Sequence, residues 1–390
     1  MQATANTPNP INEKLILPSP LKVLHIISGD LWAGAEVQAY TLLTSLPKEC
    51  ELLAVLMNHG ELEQRLVAAG INTQVIDERS TSSLKIISKL ITVIRQFAPD
   101  VIHTHRQKEN ILGTIANLIA SPFNSKNPWR RIKSIRTTHG APEHNASGIK
   151  KLQIWLDRFC GNYLQNAIIS VSNDLAIKLQ INFPEHKIHV IENGIDIKQL
   201  LQADPASDIR AGYEKAFHIG IIGRLEPVKR VDLFIRTAQS VLARSPVDAI
   251  RFHIIGDGTL RPELEALSAQ LGLIQQIVFH GHRTDATQAI AALDMAVMCS
   301  DHEGTPMTAL ETLALGKPLI AHKVGGLTEI LSEHTELLVV NHSPEGYSNA
   351  ILQLMQHPSK VQLKEVYTSN INAARTLALY NNIGGGSPVD

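Results

Sequence analysis

Hydrophobic residues along the chain form short β-branched runs that alternate with longer helical patterns. The first buried-strand pattern is Lys22–Ser28, and a glycine-bearing turn and an amphipathic run follow it. The same order repeats to about residue 196, and a second series begins with the strand HIGIIGRL at 218–225. Strands that alternate with helices in this way predict parallel sheets in an α/β protein. We therefore predict two successive doubly wound domains.

The polar stretch 198–215 separates the two series and marks the predicted domain boundary. The predicted division is a disordered lead-in at 1–20, an N-terminal domain at 21–200, a C-terminal domain at 201–375 and a tail at 376–390. In open α/β sheets, ligands bind beyond the carboxyl ends of the strands. The cleft between two such domains is therefore the expected site.

Composition and charge restrict the class of protein. The 390 residues are 44% hydrophobic and 19% charged with a formal net charge of −1, which argues against a nucleic-acid partner held mainly by charge. Cys50, Cys160 and Cys299 lie far apart in apolar sequence and predict reduced thiols in a cytoplasmic protein. No apolar run reaches the roughly 18 residues of a transmembrane helix, and the N-terminus has no signal-peptide core.

Two glutamates lie on either side of a predicted helix start in DHEGTPMTALETLALG, residues 301–316. Thr305 and Pro306 have the order expected of an N-cap and a first helical residue. Glu303 then falls in the loop before the helix, and Glu311 falls about two turns into it. Taken singly, each carboxylate is equally well explained as the surface glutamate of a capped helix.

Groups that attract anions are predicted around the same helix start. The backbone N–H groups of Met307 and Thr308 would point into the cleft, where a helix N-terminus favours negative charge. In GRLEPVKR, Gly223 permits a tight turn, while Arg224 and Lys229 supply two cations. Such cations suit a phosphate or a diphosphate, although ordinary surface charges on a solvated loop explain the motif equally well.

Histidines end two predicted strands of the N-terminal domain. His103 and His105 end VIHTH and His139 ends RTTH, so all three are expected to face the cleft. Because no carboxylate or cysteine cluster accompanies them in the sequence, we predict no metal site. A hydrogen bond from a histidine to a substrate hydroxyl or phosphate is the favoured interpretation, and His103 is equally explained as a structural residue.

A glycine turn, GAE at 34–36, follows the first strand and is a candidate for binding phosphate. The sequence contains neither GxGxxG nor GxxxxGK[ST]. The absence of both motifs weighs against a dinucleotide-dependent oxidoreductase and against a P-loop NTPase.

The order of these motifs closely resembles the retaining glycosyltransferases of family 4, the group 1 glycosyl transferases of GT-B architecture. The motifs are GRLEPVKR, IIGDG, FHGH and EGTPMTALETLALGKPLIAHKVGGLTEI, preceded by TTHG, SVS and ENGID, and the resemblance covers about residues 21–340. Its most specific part is the E-x7-E pair downstream of GRL-x3-K. The implied fold has two Rossmann-like, doubly wound domains that face a central cleft.

The resemblance implies a metal-independent hexosyltransferase without a cofactor. Its donor would be a UDP-, GDP- or ADP-sugar, its acceptor would be a glycan or a lipid-linked hydroxyl, and nucleic acid would not be a partner. The implied process is polysaccharide or lipopolysaccharide biosynthesis in the cytoplasm. A nucleotide-sugar 2-epimerase of the same fold and a non-catalytic sugar-nucleotide-binding protein are the alternatives.

The resemblance also implies roles for the matched residues. Arg224 and Lys229 correspond to the pair that neutralises the donor diphosphate. Glu303 corresponds to the residue that binds sugar hydroxyls, Glu311 to the one that holds the ribose, and His139 to a histidine near the transferred sugar. The implied catalytic residues are His139, Arg224, Lys229 and Glu303; the implied donor-binding residues are Gly34, Gly223, Arg224, Lys229, Glu303, Gly304, Met307, Thr308 and Glu311; and His105 is a candidate for the acceptor side of the cleft.

The sequence departs from the family pattern in the first glycine turn and at the C-terminus. Ala33–Gly34 replaces the usual Gly-Gly of the first turn, which would crowd a phosphate. The C-terminal sequence NAARTLALYNNIGGGSPVD does not show the aromatic-rich helix that crosses back onto the N-terminal domain. We therefore expect either a truncated chain or a shorter helix in its place.

Basic and aromatic residues occur together in WRRIKSIR (129–136) and IKKLQIWLDRF (149–159). Such segments suit an anionic interface and predict a peripheral contact of the N-terminal domain with the inner face of a membrane. A buried strand followed by a core-facing helix explains the same residues equally well.

Overall fold

The computed structural model of the protein describes residues 20–121, 132–140, 148–245 and 249–384. Almost all of the predicted lead-in, residues 129–131 of the basic segment and the last six residues of the chain lie outside these ranges.

In the described part of the N-terminal half, seven strands form one parallel sheet. The strands are β1 (Lys22–Ile27), β2 (Glu51–Leu56), β3 (Asn72–Val75), β4 (Val101–Thr104), β5 (Lys133–Thr138), β6 (Ala167–Ser170) and β7 (Ile188–Val190). Their order across the sheet is β3-β2-β1-β4-β5-β6-β7. The helices are α1 (Gly34–Ser45), α2 (Glu61–Ala68), α3 (Ser83–Phe97), α4 (Gln107–Ala120), α5 (Ile149–Phe159) and α6 (Asn173–Gln180), and a π-helical turn, Cys160–Leu164, follows α5.

A second parallel sheet follows, with six strands among the described residues. Its strands are β8 (Phe217–Ile222), β9 (Ile250–Ile255), β10 (Ile277–Gly281), β11 (Met295–Met298), β12 (Leu319–His322) and β13 (Leu338–Val339), in the order β10-β9-β8-β11-β12-β13. The helices of this half are α7 (Ile197–Leu200), α8 (Ser207–Arg210), α9 (Val231–Leu242), α10 (Arg261–Gln270), α11 (Ala286–Ala292), α12 (Met307–Ala314), α13 (Gly325–Ile330), α14 (Pro344–Gln356) and α15 (Ser369–Gly384). The predicted fold class of two doubly wound α/β domains is confirmed.

The central strands are buried along their whole length. Every residue of β4 and every residue of β9 is buried, because helices cover both faces of a parallel sheet. Polar side chains on these strands are therefore enclosed in the domain, and the cleft is lined by residues at and beyond the carboxyl ends of the strands. The polar stretch that was predicted to separate the domains contains α7 and α8, and the boundary at 200/201 stays a prediction.

The last helix decides between the two alternatives expected for the C-terminal sequence, because a helix does return to the N-terminal domain. α15 packs against the N-terminal sheet, where Ala373, Leu379 and Tyr380 join a core cluster that includes strand residues of that domain. Arg375 on the same helix forms an ion pair with Glu192. The helix also continues through position 376, where the tail was predicted to begin. None of the helices in the described ranges is both long and apolar enough to cross a bilayer.

Candidate active site

A cavity of about 890 Å³ lies between the two domains, at the carboxyl ends of both sheets. Its N-terminal wall includes the start of α1 and the loop after β5, and its C-terminal wall includes the loops after β8 and β11 and the start of α12. It is lined by every catalytic and donor-binding residue predicted from the sequence: Gly34, His139, Gly223, Arg224, Lys229, Glu303, Gly304, Met307, Thr308 and Glu311. The structure brings these residues together, and their roles stay predictions.

The loop after β8 presents two cations to the cavity. Gly223 has a φ of 152°, which favours glycine, and its carbonyl oxygen would lie 1.9 Å from a Cβ on Gly256. The ends of β8 and β9 can approach this closely only because residue 256 is a glycine. Arg224 and Lys229 follow this turn and line the cavity.

Glu303 is held by two hydrogen bonds to one of its oxygens. Lys229 Nζ donates to Glu303 Oε1 at 2.5 Å, and Ser300 Oγ donates to the same oxygen at 2.6 Å. Only 9% of the Glu303 side chain is exposed, and a carboxylate that is buried to this extent needs such partners. The ion pair therefore fixes both side chains at the C-terminal wall of the cavity.

The start of α12 differs from the sequence prediction by one residue. The helix begins at Met307, and Pro306 occupies the N-cap position in an extended conformation. Thr305, which was predicted to cap the helix, donates its hydroxyl to the carbonyl of Val171 in the other domain instead. The first N–H groups of α12 have no partner within the helix, and Met307 and Thr308 line the cavity.

Glu311 follows one turn after the start of α12 and is half-buried. Burial raises the pKa of its carboxyl to about 7. The group is therefore close to half-ionised at neutral pH, and a ligand that donates hydrogen bonds to it would favour the ionised form.

Close contacts between the two domains surround the cavity. A Cβ on Gly304 would lie 2.7 Å from the carbonyl oxygen of His139 in the opposite domain, so a larger residue would push the walls apart. Asn193 Nδ2 donates to the carbonyl of Thr305 at 2.7 Å. On α13, Glu329 accepts hydrogen bonds from backbone N–H groups at the start of α6.

The histidines of the N-terminal domain separate into two environments. His139 lines the cavity, and burial, with a smaller effect of Arg106, lowers the pKa of its imidazole to about 4. His105 is 2% exposed, and its Nε2 lies 3.1 Å from His25 Nδ1. The prediction that His103 and His105 face the cleft is wrong, because both side chains are buried and neither lines the cavity.

Arg106 also lines the cavity, and it was not among the residues predicted from the sequence. It donates hydrogen bonds to Asp30 and to Glu36, which lies in the first turn of α1. Glu36 is fully buried, and burial raises the pKa of its carboxyl. Arg106 thus fixes the start of α1, where Gly34 faces Met307 across the cleft. Ala33 has an extended backbone, so the residue that replaces glycine there is unstrained. Arg106 directly follows the predicted strand VIHTH, and a position after a parallel strand could have predicted that it reaches the cleft.

Two family models match the chain in the order of its two domains. Residues 32–199 match the model described as Glycosyltransferase Family 4, and residues 216–357 match Glycosyl transferases group 1. The chain belongs to the group 1 glycosyltransferases of family 4. The predicted family is thereby confirmed, and the chain is a glycosyltransferase.

Relatives and solved structures agree with this assignment. The chain is 24% identical over 352 residues, which cover 86% of it and 88% of the relative, to the Escherichia coli UDP-Gal:alpha-D-GlcNAc-diphosphoundecaprenol alpha-1,3-galactosyltransferase. A D-inositol 3-phosphate glycosyltransferase of Rhodococcus opacus is 28% identical over 45% of this chain and 42% of its own length. Anabaena Alr3699/HepE in complex with UDP superposes with a TM-score of 0.71 at 22% identity, over 94% of this chain and 99% of that one. These structural likenesses confirm the GT-B fold of this glycosyltransferase.

Proposed function

We propose that this glycosyltransferase transfers a sugar from a UDP-sugar to a hydroxyl of a glycan or lipid-linked acceptor, with retention of the anomeric configuration. The observation that carries the proposal is that Arg224, Lys229 and the start of α12 share a cavity with Glu303 and Glu311. Two cations and free N–H groups suit a diphosphate, and two carboxylates suit hydroxyl groups of a sugar and a ribose.

The names of similar proteins support the choice of substrates. Anabaena Alr3699/HepE has been crystallised with UDP, and with UDP-glucose. The Escherichia coli relative is named for a UDP-Gal donor and a diphosphoundecaprenol-linked acceptor, and another structural neighbour is the lipopolysaccharide outer core galactosyltransferase WaaB. We therefore infer a role in cell-surface polysaccharide or lipopolysaccharide biosynthesis.

The cations provide the main stabilisation in the proposed reaction. When the bond between the sugar C1 and the diphosphate oxygen breaks, the bonding electrons move to the diphosphate. Arg224, Lys229 and the N–H groups of α12 stabilise the negative charge that develops there. Because these groups neutralise the diphosphate, we propose that neither a metal ion nor a cofactor takes part.

Glu303 and Glu311 are proposed to hold hydroxyl groups and not to act as an acid and a base. Glu303 Oε1 is engaged by Lys229 and Ser300, so Oε2 is the atom offered to a hydroxyl of the sugar. Glu311 is placed farther along α12 for the ribose. His139, which is neutral at pH 7, offers a hydrogen bond to the sugar from the N-terminal wall.

Retention follows if the acceptor attacks C1 from the face that the diphosphate leaves. The acceptor oxygen forms the new bond to C1, the bond to the diphosphate breaks, and the acceptor proton passes to the departing diphosphate oxygen. This route fits a site in which the ion pair with Lys229 makes Glu303 a poor nucleophile.

Thermal unfolding with a panel of donors tests the proposal. UDP-glucose is expected to bind more tightly than GDP-glucose or ADP-glucose and therefore to raise the melting temperature more. A ligand at 100 times its Kd stabilises the folded protein by about 2.7 kcal/mol. EDTA should not abolish the shift, and transfer from a UDP-α-sugar to a lipid extract should yield an α-linkage. The absence of stabilisation by every donor, a β-linked product, or epimerisation of UDP-N-acetylglucosamine without acceptor would each contradict the proposal.

We further propose that α5 contacts an anionic membrane at the cytoplasmic face. Its outer face and the π-helical turn present four large apolar side chains at helical spacing, Leu152, Trp155, Phe159 and Tyr163, which are 57%, 59%, 41% and 74% exposed. The exposed side chains of Lys151 and Arg158 lie on the same helix and complement anionic lipid headgroups. Residues 133–136 belong to β5, and those at 134–136 are buried in the sheet, so this part of the basic segment is not offered to a membrane.

Liposome co-sedimentation tests this contact. The wild type is expected to sediment with vesicles that contain phosphatidylglycerol and to remain in solution with pure phosphatidylcholine. The double variant Trp155→Ala, Phe159→Ala should lose most of the binding, whereas Val340→Ala, which shortens an exposed apolar side chain in the C-terminal half, should not. Wild-type dimerisation that the double variant abolishes, without vesicle binding, would show that a second copy covers this face instead.

A further inference from the structure

A chain of five hydrogen-bonded side chains crosses the interior of the N-terminal domain behind the cavity. In order, its members are Thr137, His103, Tyr380, His25 and His105. The polar atoms of consecutive members lie 2.7, 2.7, 3.3 and 3.1 Å apart. All five side chains are buried. The middle member belongs to α15, so the returning helix supplies the link between two strands of the sheet.

Hydrogen bonding explains this cluster better than a metal ion does. Ring nitrogens of His25, His103 and His105 lie within 4.8 Å of one another, which is close enough for a shared ligand. Both nitrogens of His25 and both of His103 already have hydrogen-bond partners, however. Burial lowers the pKa of His25 to about 3 and holds those of the other two well below their usual value. The three rings are therefore neutral at pH 7.

Because the three rings are neutral, all the hydrogen bonds between these five side chains must be donated in the same direction. Each neutral imidazole has one N–H donor and one bare nitrogen, and each bond needs one donor. If the Tyr380 hydroxyl accepted from both His103 and His25, its own buried hydrogen would be left without a partner, which is costly. The bonds must therefore run either all toward His105 or all toward Thr137. In the first case the three rings are all Nδ1–H tautomers, and in the second they are all Nε2–H tautomers.

The chain ends beside the candidate active site. His105 Nδ1 is buried without a hydrogen-bond partner among the described residues, and so is His139 Nε2. The two rings stack with their centroids 5.9 Å apart and an interplanar angle of 19°. The direction of the chain therefore decides whether Nδ1 of His105, whose ring stacks on the histidine that lines the cavity, carries a proton or a lone pair.

We propose that Tyr380 is a positioning residue, whose hydroxyl makes His25, His103 and His105 share one tautomer and so sets the polar group that supports His139. The role of His139 beside the transferred sugar rests on the proposed function. The shared tautomer does not, because it follows from the hydrogen bonds alone.

Steady-state kinetics of Tyr380→Phe measure the effect on transfer. The variant loses the hydroxyl that joins His103 to His25, so the tautomer of His105 is no longer set, and we expect kcat to fall about three- to tenfold. The KM for the donor should stay unchanged, because Arg224 and Lys229 lie on the opposite wall. Tyr347→Phe is the matched control, since it removes a buried hydroxyl from the C-terminal domain and should leave kcat as in the wild type. A wild-type kcat in Tyr380→Phe would overturn the proposal.

Nitrogen-15 NMR of labelled histidine measures the tautomers directly. The C-terminal sheet supplies an internal standard, because His218 Nε2 donates to the Tyr213 carbonyl and His253 and His280 continue that chain at 2.9 Å each. A carbonyl only accepts, so these three rings must all be Nε2–H tautomers, in the wild type and in Tyr380→Phe alike.

The wild-type spectrum should show one common tautomer for His25, His103 and His105, assigned with single His→Gln variants. Mixed tautomers, or signals that change when EDTA removes bound zinc, would overturn the proposal. If the wild type transfers no sugar, the proposed function fails, yet the tautomers still test the chain. The shift of the His139 signals in Tyr380→Phe then replaces kcat as the second measurement, and unchanged signals would count against the proposal.

Discussion

The two walls of the cleft use different chemistry. The C-terminal wall carries full charges on loops, with Lys229 paired to Glu303 and Arg224 exposed beside them. The N-terminal wall presents His139, a neutral ring, in front of a buried network of other neutral rings. The N-terminal wall also carries Arg106, but Asp30 and Glu36 pair with its guanidinium. The charges of the C-terminal wall suit the proposed diphosphate, whereas the neutral ring of His139 suits a hydroxyl of the proposed sugar. The difference teaches that, in the proposed reaction, each domain would contribute one kind of recognition and that the contact between the domains would bring the two together.

Removal of a charge from the C-terminal wall is expected to have the largest effect. Lys229→Ala removes a cation from the proposed diphosphate position and leaves Glu303 buried without its ion-pair partner. Loss of one group that stabilises the transition state costs about 10²- to 10³-fold in kcat. Transfer kinetics measure the change, and Lys323→Ala, at an exposed lysine outside the cavity, is the control. A loss of less than tenfold would show that the wall does not stabilise the leaving diphosphate.

Separation of the two walls is expected to have the next largest effect. Gly304→Ala places a methyl group 2.7 Å from the His139 carbonyl oxygen, and such overpacking costs about 1–3 kcal/mol. If this energy destabilises the arrangement in which the two walls touch, the population of that arrangement and kcat/KM both fall by about 5- to 150-fold. Gly140→Ala adds the same group where, apart from its chain neighbours, no atom of the described residues lies within 4 Å, and this variant should retain activity. Equal kinetics for the two variants would mean that closure of the walls is not required.

The pH dependence of stability and of donor binding should also distinguish the two walls. Burial raises the pKa of Glu311 to about 7, so the folded protein binds more protons than the unfolded chain between about pH 4.5 and pH 7. This group therefore lowers stability as the pH rises through that window. In the proposed site, donor binding uses the ionised carboxylate of Glu311, so affinity for UDP-glucose should rise about tenfold from pH 6 to pH 8.

Calorimetry with UDP-glucose checks the expected pH dependence. UDP itself is unsuitable, because its terminal phosphate titrates near pH 6. Glu311→Gln should bind more weakly at pH 8 and lose the pH dependence, whereas the neutral His139 should add none above pH 6. A pH dependence that persists in Glu311→Gln would assign the titration to another group.

The sequence predicted the cavity better than it predicted the domain interiors. Arg224, Lys229 and Glu303 could be placed because they follow strands, and the carboxyl ends of parallel strands meet at one edge of a sheet. His103 and His105 were misplaced because position at a strand end does not reveal which face a helix covers. Similarly, α15 was overlooked, since a single aromatic residue, Tyr380, marks its contact with the sheet.

Contacts between the domains were beyond sequence reasoning for a related reason. The hydroxyl of Thr305 bonds to the carbonyl of Val171, which lies 134 positions away in the sequence, and the local order of Thr305 and Pro306 favoured a cap instead. A local motif competes with a distant partner, and only the packed structure shows which interaction forms.

A polar contact at the edge of the cleft should have the smallest effect. Glu329 on α13 accepts hydrogen bonds from the backbone N–H groups of Asn173 and Asp174 at 3.2 and 3.0 Å, where a carboxylate also complements the N-terminus of α6. Glu329→Gln keeps the shape and removes the charge, so about 0.5–1 kcal/mol of the domain contact is lost. The KM for the donor should rise about two- to fivefold with an unchanged melting temperature, because each domain keeps its own core. The exposed Glu333 provides the control Glu333→Gln, and a fall in kcat at constant KM would show that this contact supports the chemistry and not the closure of the two walls.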